Sequence, residues 1–343
     1  MRELVIVIAD LHLSSDLESV APGVPRGADP GSWPAIEHVA RFARPAPLIG
    51  GWRDWVARWL DLTEYADRPA ASVAAASAEG FAGPACWLAT PLHLIEGLTR
   101  LHVDWGSLLR LAGEERERLA ADFKETFHGS GFGLTGLESG EFLLSAPPLA
   151  RVRTVEPARV LQVPMADALP SGEGAAALRR LGAEIEMWLH AHPLNRERAH
   201  RGERPVSTLW IWGGGEPPAM GTASRPAPVT VFACEAYVRG LCRLAGLEIR
   251  PVAQMSALSE AGTPGTLCVL ELAEVLQRQG GSSLPEALAE IDRRVIAPAL
   301  AALHQRRIDR LVLLANDRQW TLRFADRLRI WRRRRAGLEA LQA

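Results

Sequence analysis

From residue 205 onward, short apolar runs alternate with amphipathic stretches, and that alternation leaves few folds open. The runs are STLWIW (207–212), VTVFAC (229–234), EIRPV (248–252), LCVLEL (267–272) and RLVLLA (310–315). Helical patterns occupy 235–245 and 285–305 between them. Strands separated by helices imply an α/β fold with a mostly parallel, doubly wound sheet. Residues 3–9 form an apolar run rich in Val and Ile, as a strand buried on both faces requires. That strand is expected to join the same sheet. With 343 residues, 48% of them hydrophobic, the chain can bury one large core or two smaller ones.

The region between these strands reads differently. Residues 21–50 are rich in Pro and Gly and read as irregular, and AASVAAASAEG (70–80) suits a helix or a linker. WRDWVARWLDL (52–62) places Trp52, Trp55, Trp59 and Leu60 on one helical face. Residues 85–145 look like a compact α+β unit, with short apolar runs, a helix AGEERERLAADFKETFHGSG and a further strand at 141–145. EGAAALRRLGAEIEMWLHAH (173–192) is a strong amphipathic helix. The division expected is a discontinuous core, 1–75 and 200–343, around an inserted α+β domain, 76–199.

Composition narrows the function classes. Formal net charge is −1, so no global field favours nucleic acid or an anionic membrane. Arg332–Arg335 read as a solvated tail, and nucleic acid is not an expected partner. Cys86, Cys234, Cys242 and Cys268 are widely spaced with no Cys-x-x-Cys, which points to buried thiols in a reducing compartment. The N-terminal apolar run is too short for a signal peptide or a membrane span, so no membrane is expected and the location expected is cytoplasmic.

Two stretches carry candidate chemistry. ELVIVIADLHLSSD (3–16) ends a strand in Asp10-x-His12, a pair of good metal-ligand types. It resembles the first motif of the calcineurin-like metallophosphoesterases, but that family's Gly-Asp and its two later His-bearing motifs do not occur here. Asp10 and His12 stay as candidate metal ligands. The second stretch is WLHAHPLNRERAHRGERPVSTLWIWGGGEPP (188–218). There a helix ends at His192-Pro193, Asn195 is placed to cap the following turn, and Arg196, Arg198, Arg201 and Arg204 cluster before an apolar strand. The strand runs into Gly213, Gly214 and Gly215, whose amides suit an anion-binding nest.

This stretch resembles the RpfE-type regulatory proteins, which are similar to archaeal-type cofactor-independent phosphoglycerate mutases. The residues that carry the resemblance are His192, Pro193, Asn195, Arg198, Gly202, Pro205 and the glycine run. LPSGEGAAALRRLGAEIEMWLHAHPLN and LRIWRRRR resemble the regulatory proteins, and YVRGLCRLAGLEI (237–249) resembles a mutase segment. The resemblance implies an alkaline-phosphatase-like core with a small inserted domain. It also implies, for active members, two metals held by an early Asp, an Asp-x-x-x-His, an Asp-His pair and a further His, with a Ser nucleophile. Asp10 matches the early Asp. ELAEVLQRQGG (271–281) and LLANDRQW (313–320) stand where the next two motifs belong, and neither contains His.

The expectation is therefore a non-catalytic, phosphoglycerate-mutase-like regulatory or ligand-binding protein that needs no cofactor. Its candidate ligand-binding residues are His192, Asn195, Arg198, Arg201, Gly213, Gly214 and Gly215. The ligand expected is a phosphorylated small molecule, because the Arg fork suits phosphate; a protein partner is the other option. The alternative is an active Mn- or Zn-dependent phosphomutase or phosphohydrolase with a rearranged site, recruiting Asp10, His12, Asp16 and Asp317.

Overall fold

A computed structural model describes residues 2–13, 32–81, 83–97, 101–161, 165–218, 228–259, 264–278, 283–329, 331 and 337–342. The chain divides into two compact units, each built from more than one stretch. The first takes 1–67, 223–235 and 245–343; the second takes 68–222 and 236–244.

The first unit is built on a seven-stranded sheet. Its order is Ile249–Arg250, Val229–Phe232, Gly265–Glu271, Glu3–Ala9, Arg310–Ala315, Arg318–Arg323, Arg44–Pro47. The first five run parallel and the last two are antiparallel additions. The expected α/β class with a mostly parallel sheet is what forms. The opening strand lies between two parallel neighbours, and all seven of its residues are buried, which is why it reads as a continuous apolar run. The Trp-rich helix, Gly51–Trp59, docks on this sheet. Trp55 Nε1 donates to Gln319 and Trp59 Nε1 donates to the buried Glu3.

Three features of this unit depart from the sequence reading. The stretch expected to be irregular contains a helix, Pro34–Phe42, and an edge strand, Arg44–Pro47. Pro45 and Pro47 sit in that exposed edge strand, a position that tolerates missing amides and discourages further pairing. The strand Arg318–Arg323 follows a two-residue turn, Asn316–Asp317, with φ of 48° and 54°. Two left-handed residues between paired strands form the type of hairpin turn that Asn and Asp accept. The helical stretch 285–305 is broken by a π turn, Asp292–Ile296, just before Pro298, whose nitrogen cannot donate to the preceding turn.

The second unit has a four-stranded antiparallel sheet in the order Thr208–Gly215, Ala85–Leu92, Phe142–Ala146, Gly133–Gly136. The run at 207–212 was expected in the parallel sheet, and here it pairs antiparallel with Ala85–Leu92. The error has a physical source. The strand packs against the helices Ala70–Ala74 and Ala175–Ala191, and an apolar run buried on both faces does not reveal the direction of its neighbours. Its tryptophans satisfy their N–H groups internally, Trp210 to the Val155 carbonyl and Trp212 to the Thr90 hydroxyl. The helix Ala175–Ala191 contributes Leu178, Leu181, Ile185 and Leu189 to one apolar cluster with Phe123 of the helix Gly113–Thr126 and Phe127, which caps its end. Trp188 meets both Phe rings edge-on.

Cys86, Cys242 and Cys268 are buried, and burial pushes the Cys86 and Cys242 thiols up to about 12. No helix among the described residues is long and apolar enough to cross a membrane.

Candidate functional site

The arginine-rich motif folds as a clasp in the second unit. His192 closes the helix Ala175–Ala191 and opens the next, Pro193–His200, where Pro193 occupies a position whose amide a helix cannot use. The turn expected after His192 is thus a second helix. His192 Nδ1 accepts from the Leu194 amide at 3.2 Å, and Nε2 lies 3.1 Å from Asp122. An amide only donates, so Nδ1 holds the lone pair and Nε2–H donates to the carboxylate. Burial lowers the proton affinity of this imidazole against the pull of Asp122, which favours that neutral tautomer.

Asn195 spends its whole side chain on backbone. Nδ2 donates to the carbonyls of Leu189 and Val206 at 2.8 and 2.9 Å, and Oδ1 accepts from the Val206 amide at 2.8 Å. Arg198 is 2% exposed. Its Nη1 reaches both Glu115 oxygens at 2.9 and 2.7 Å, and its Nε donates to the Arg204 carbonyl at 2.8 Å. Arg201 bonds Glu115 and Glu203, and the hydrogen bond to Arg201 lowers the Glu203 carboxyl below its ordinary value. Arg204 pairs with Asp104 at 2.6 and 3.0 Å. Burial works to raise the Asp104 carboxyl, but Arg204 outweighs it and the net direction is down.

The glycines lie at the far end of the following strand. Val206, which Asn195 holds, is seven residues before Gly213, a separation of about 20 Å in extended chain. The structure therefore does not bring the arginines and the glycine run to one ligand. Nor do the glycines form a loop past the strand; they are its last three residues. Gly213, with φ of 64°, donates its amide to the Thr154 hydroxyl at 3.1 Å. A Cβ on Gly214 would stand 2.1 Å from the Trp87 ring, and one on Gly215 would stand 2.5 Å from the Ser72 hydroxyl. Close packing accounts for both. Trp87 and Glu115, which explain Gly214 and Arg198, were not legible as partners because nothing in sequence links positions so far apart.

The first unit carries the other candidates at the carboxyl ends of its central strands. Asp10 follows the opening strand with φ of 65°, and His12 is 4% exposed. The neighbouring hairpin turn brings Asp317 Oδ2 to 3.6 Å from His12 Nδ1. Asn316 stitches the two loops together, accepting from the Leu13 amide at 2.7 Å and donating its own amide to the Leu11 carbonyl at 3.0 Å. A small pocket there is lined by Asp10, His12, Trp52 and Asp317, among others. Glu271 ends the adjacent parallel strand, in register with Ala9. Asp10, Asn316 and Asp317 all hold left-handed backbone at this edge, a conformation Asn and Asp adopt more readily than other residues. Asp16, Gly280, Gly281 and Arg332–Arg335 lie outside the described residues.

Among the described residues, no group of three His, Cys, Asp or Glu side chains is placed to hold a metal ion. Asp10, His12 and Asp317 share one pocket, and the stretches 271–281 and 313–320, where the mutase resemblance would put two further ligand motifs, contain no histidine.

The chain is similar to a probable 2,3-bisphosphoglycerate-independent phosphoglycerate mutase of Geobacter sulfurreducens, at 27% identity over 154 residues, 40% of this chain and 39% of that protein. It is similar to 2,3-bisphosphoglycerate-independent phosphoglycerate mutase 2 of Methanothermobacter thermautotrophicus, at 32% identity over 111 residues, 31% of this chain and 27% of that protein. The chain thus spans about two fifths or less of the length of these relatives. A cofactor-independent phosphoglycerate mutase from Thermoplasma acidophilum superposes with a TM-score of 0.38 at 14% identity, covering 94% of this chain and 89% of that one. A protein from Pyrococcus horikoshii superposes with a TM-score of 0.45 at 13% identity, covering 99% and 92%. No family model matches the chain.

Proposed function

We propose that this chain is a non-catalytic, phosphoglycerate-mutase-like protein of the RpfE type, with an alkaline-phosphatase-like core that serves binding or regulation. The similarity to phosphoglycerate mutases, at low identity, supplies the relationship. The observation that carries the rest is the donor set at the sheet edge. Among the described residues the candidates gathered in the pocket there are Asp10, His12 and Asp317, and the two stretches that the mutase resemblance would make the remaining motifs offer Glu271 and Asn316-Asp317 without imidazole. A two-metal site stabilises both the attacking and the leaving oxygen of a phosphoryl transfer, and half a site does neither.

The ligand of such a protein is better sought away from Arg198 and Arg201. Their guanidiniums already face Glu115 and Glu203, so a phosphate arriving there would meet carboxylates in place. The test is turnover. Purified protein with 3-phosphoglycerate or 4-nitrophenyl phosphate, in manganese or zinc, is expected to show no activity above that of an Asp10→Ala variant. Turnover that disappears in Asp10→Ala would overturn the reading and establish a rearranged metal-dependent phosphomutase or phosphohydrolase.

A further inference from the structure

The second unit contains a groove of about 560 Å³ that the arginine clasp leaves open. Its size falls in the range typical of small-molecule sites, roughly 300–1,000 Å³. Leu94, Ile95, Leu101 and Val206 give it apolar walls, and His93, Glu96, Glu186 and His190 give it polar ones. Among the described residues, no Lys or Arg lines it.

The polar groups are set by their neighbours. His93 Nδ1 lies 3.0 Å from the Pro205 carbonyl. A carbonyl only accepts, so Nδ1 carries the hydrogen; burial lowers the proton affinity of this ring despite that bond, leaving Nε2 as an acceptor. Glu186 and His190 are four residues apart on the helix Ala175–Ala191 and so share a face. The Thr208 hydroxyl donates to Glu186, and burial still raises the carboxyl's proton affinity. A carboxylate so placed gains from a positive partner, and the described residues of the groove lining provide none. Asn195 also lines the groove, but its amide is spent on backbone.

We propose that this groove binds a small organic cation, a primary amine on an apolar body. The ammonium, with three donors and no acceptor, fits between the Glu186 carboxylate and His93 Nε2, with Glu96 adding attraction from the rim. The body lies against Leu94, Ile95 and Leu101. Among the described lining residues an anionic ligand would meet two carboxylates and no cation, so the proposal excludes phosphorylated compounds from this groove. The site is independent of the proposed loss of phosphoryl chemistry and stands or falls separately.

The experiment compares benzylamine, benzyl alcohol and benzoate, which share a ring and differ in head group, titrated into the full chain and followed by NMR. Benzylamine is expected to bind with shifts at the groove residues, benzyl alcohol more weakly, and benzoate not at all. Glu186→Gln removes the charge with little change of shape, so it keeps the fold, and it should weaken benzylamine binding about tenfold by removing a charged hydrogen bond. Benzoate binding as well as benzylamine, benzylamine affinity unchanged in Glu186→Gln, shifts confined to other residues, or no binding of the amine would each overturn the proposal.

Discussion

Replacing Arg198 with alanine is expected to cost about 3–5 kcal/mol of folding stability, the range for removing one partner of a buried ion pair. The reason is what remains. Glu115 would keep only the Ala112 amide and the exposed Arg201 among its described partners, and the Arg204 carbonyl would lose its donor. Lysine should recover only part of the loss, because a single ammonium cannot reach both Glu115 oxygens and the Arg204 carbonyl in the geometry of a guanidinium fork. Replacing both Arg198 and Glu115 with apolar residues of similar volume should cost much less than either single change, since the unpaired charge is then gone. Urea unfolding of the parent and these four variants measures this. An Arg198→Ala protein as stable as its parent would show that the arginine is held ready for a ligand and not for the clasp.

The second large effect is expected at Gly214. Its backbone lies outside the left-handed region, so alanine is permitted there by conformation alone. The obstacle is the Trp87 ring, 2.1 Å from where the Cβ would stand. Gly214→Ala is expected to destabilise by about 3 kcal/mol, the upper part of the usual range for overpacking. In a Trp87→Ala background the same substitution should cost well under 1 kcal/mol, giving a large coupling between neighbours. A glycine kept instead for an anion's approach would give the opposite pattern, with stability unchanged by Gly214→Ala and no coupling to Trp87.

Most of the first unit was legible because its strands advertise themselves. The run Leu4–Ala9 and the later Val- and Leu-rich runs are buried on both faces, and burial of that kind leaves an unbroken apolar signature. The edge strand Arg44–Pro47 was not legible, since an exposed strand with two prolines carries no such mark. The strand Thr208–Gly215 was legible as a strand but not as a member of the antiparallel sheet. Period and composition say that a segment is buried; they do not say beside what.

The candidate site divides in the same way. Sequence picked out Asp10 and His12 correctly as neighbours at a strand end, because two residues of separation keep them together. It could suggest Asp317 only by position, and the Asn316–Asp317 turn is what carries that carboxylate to His12. For His192, Asn195 and Arg198 the residue types invited a ligand reading, and the structure shows their side chains bonded to Asp122, Val206 and Glu115. Spacing within a motif shows which residues act together. Whether they act on a ligand or on the fold depends on residues elsewhere in the chain, as Glu115 shows for Arg198.

The most direct measurement of the central claim is metal content by mass spectrometry, on protein purified with manganese and zinc present and then desalted. The donor set at the sheet edge predicts metal far below stoichiometric amounts, unchanged by Asp10→Ala. Two tightly held ions per chain, lost together in Asp10→Ala, would mean that a working two-metal site exists and would contradict the account.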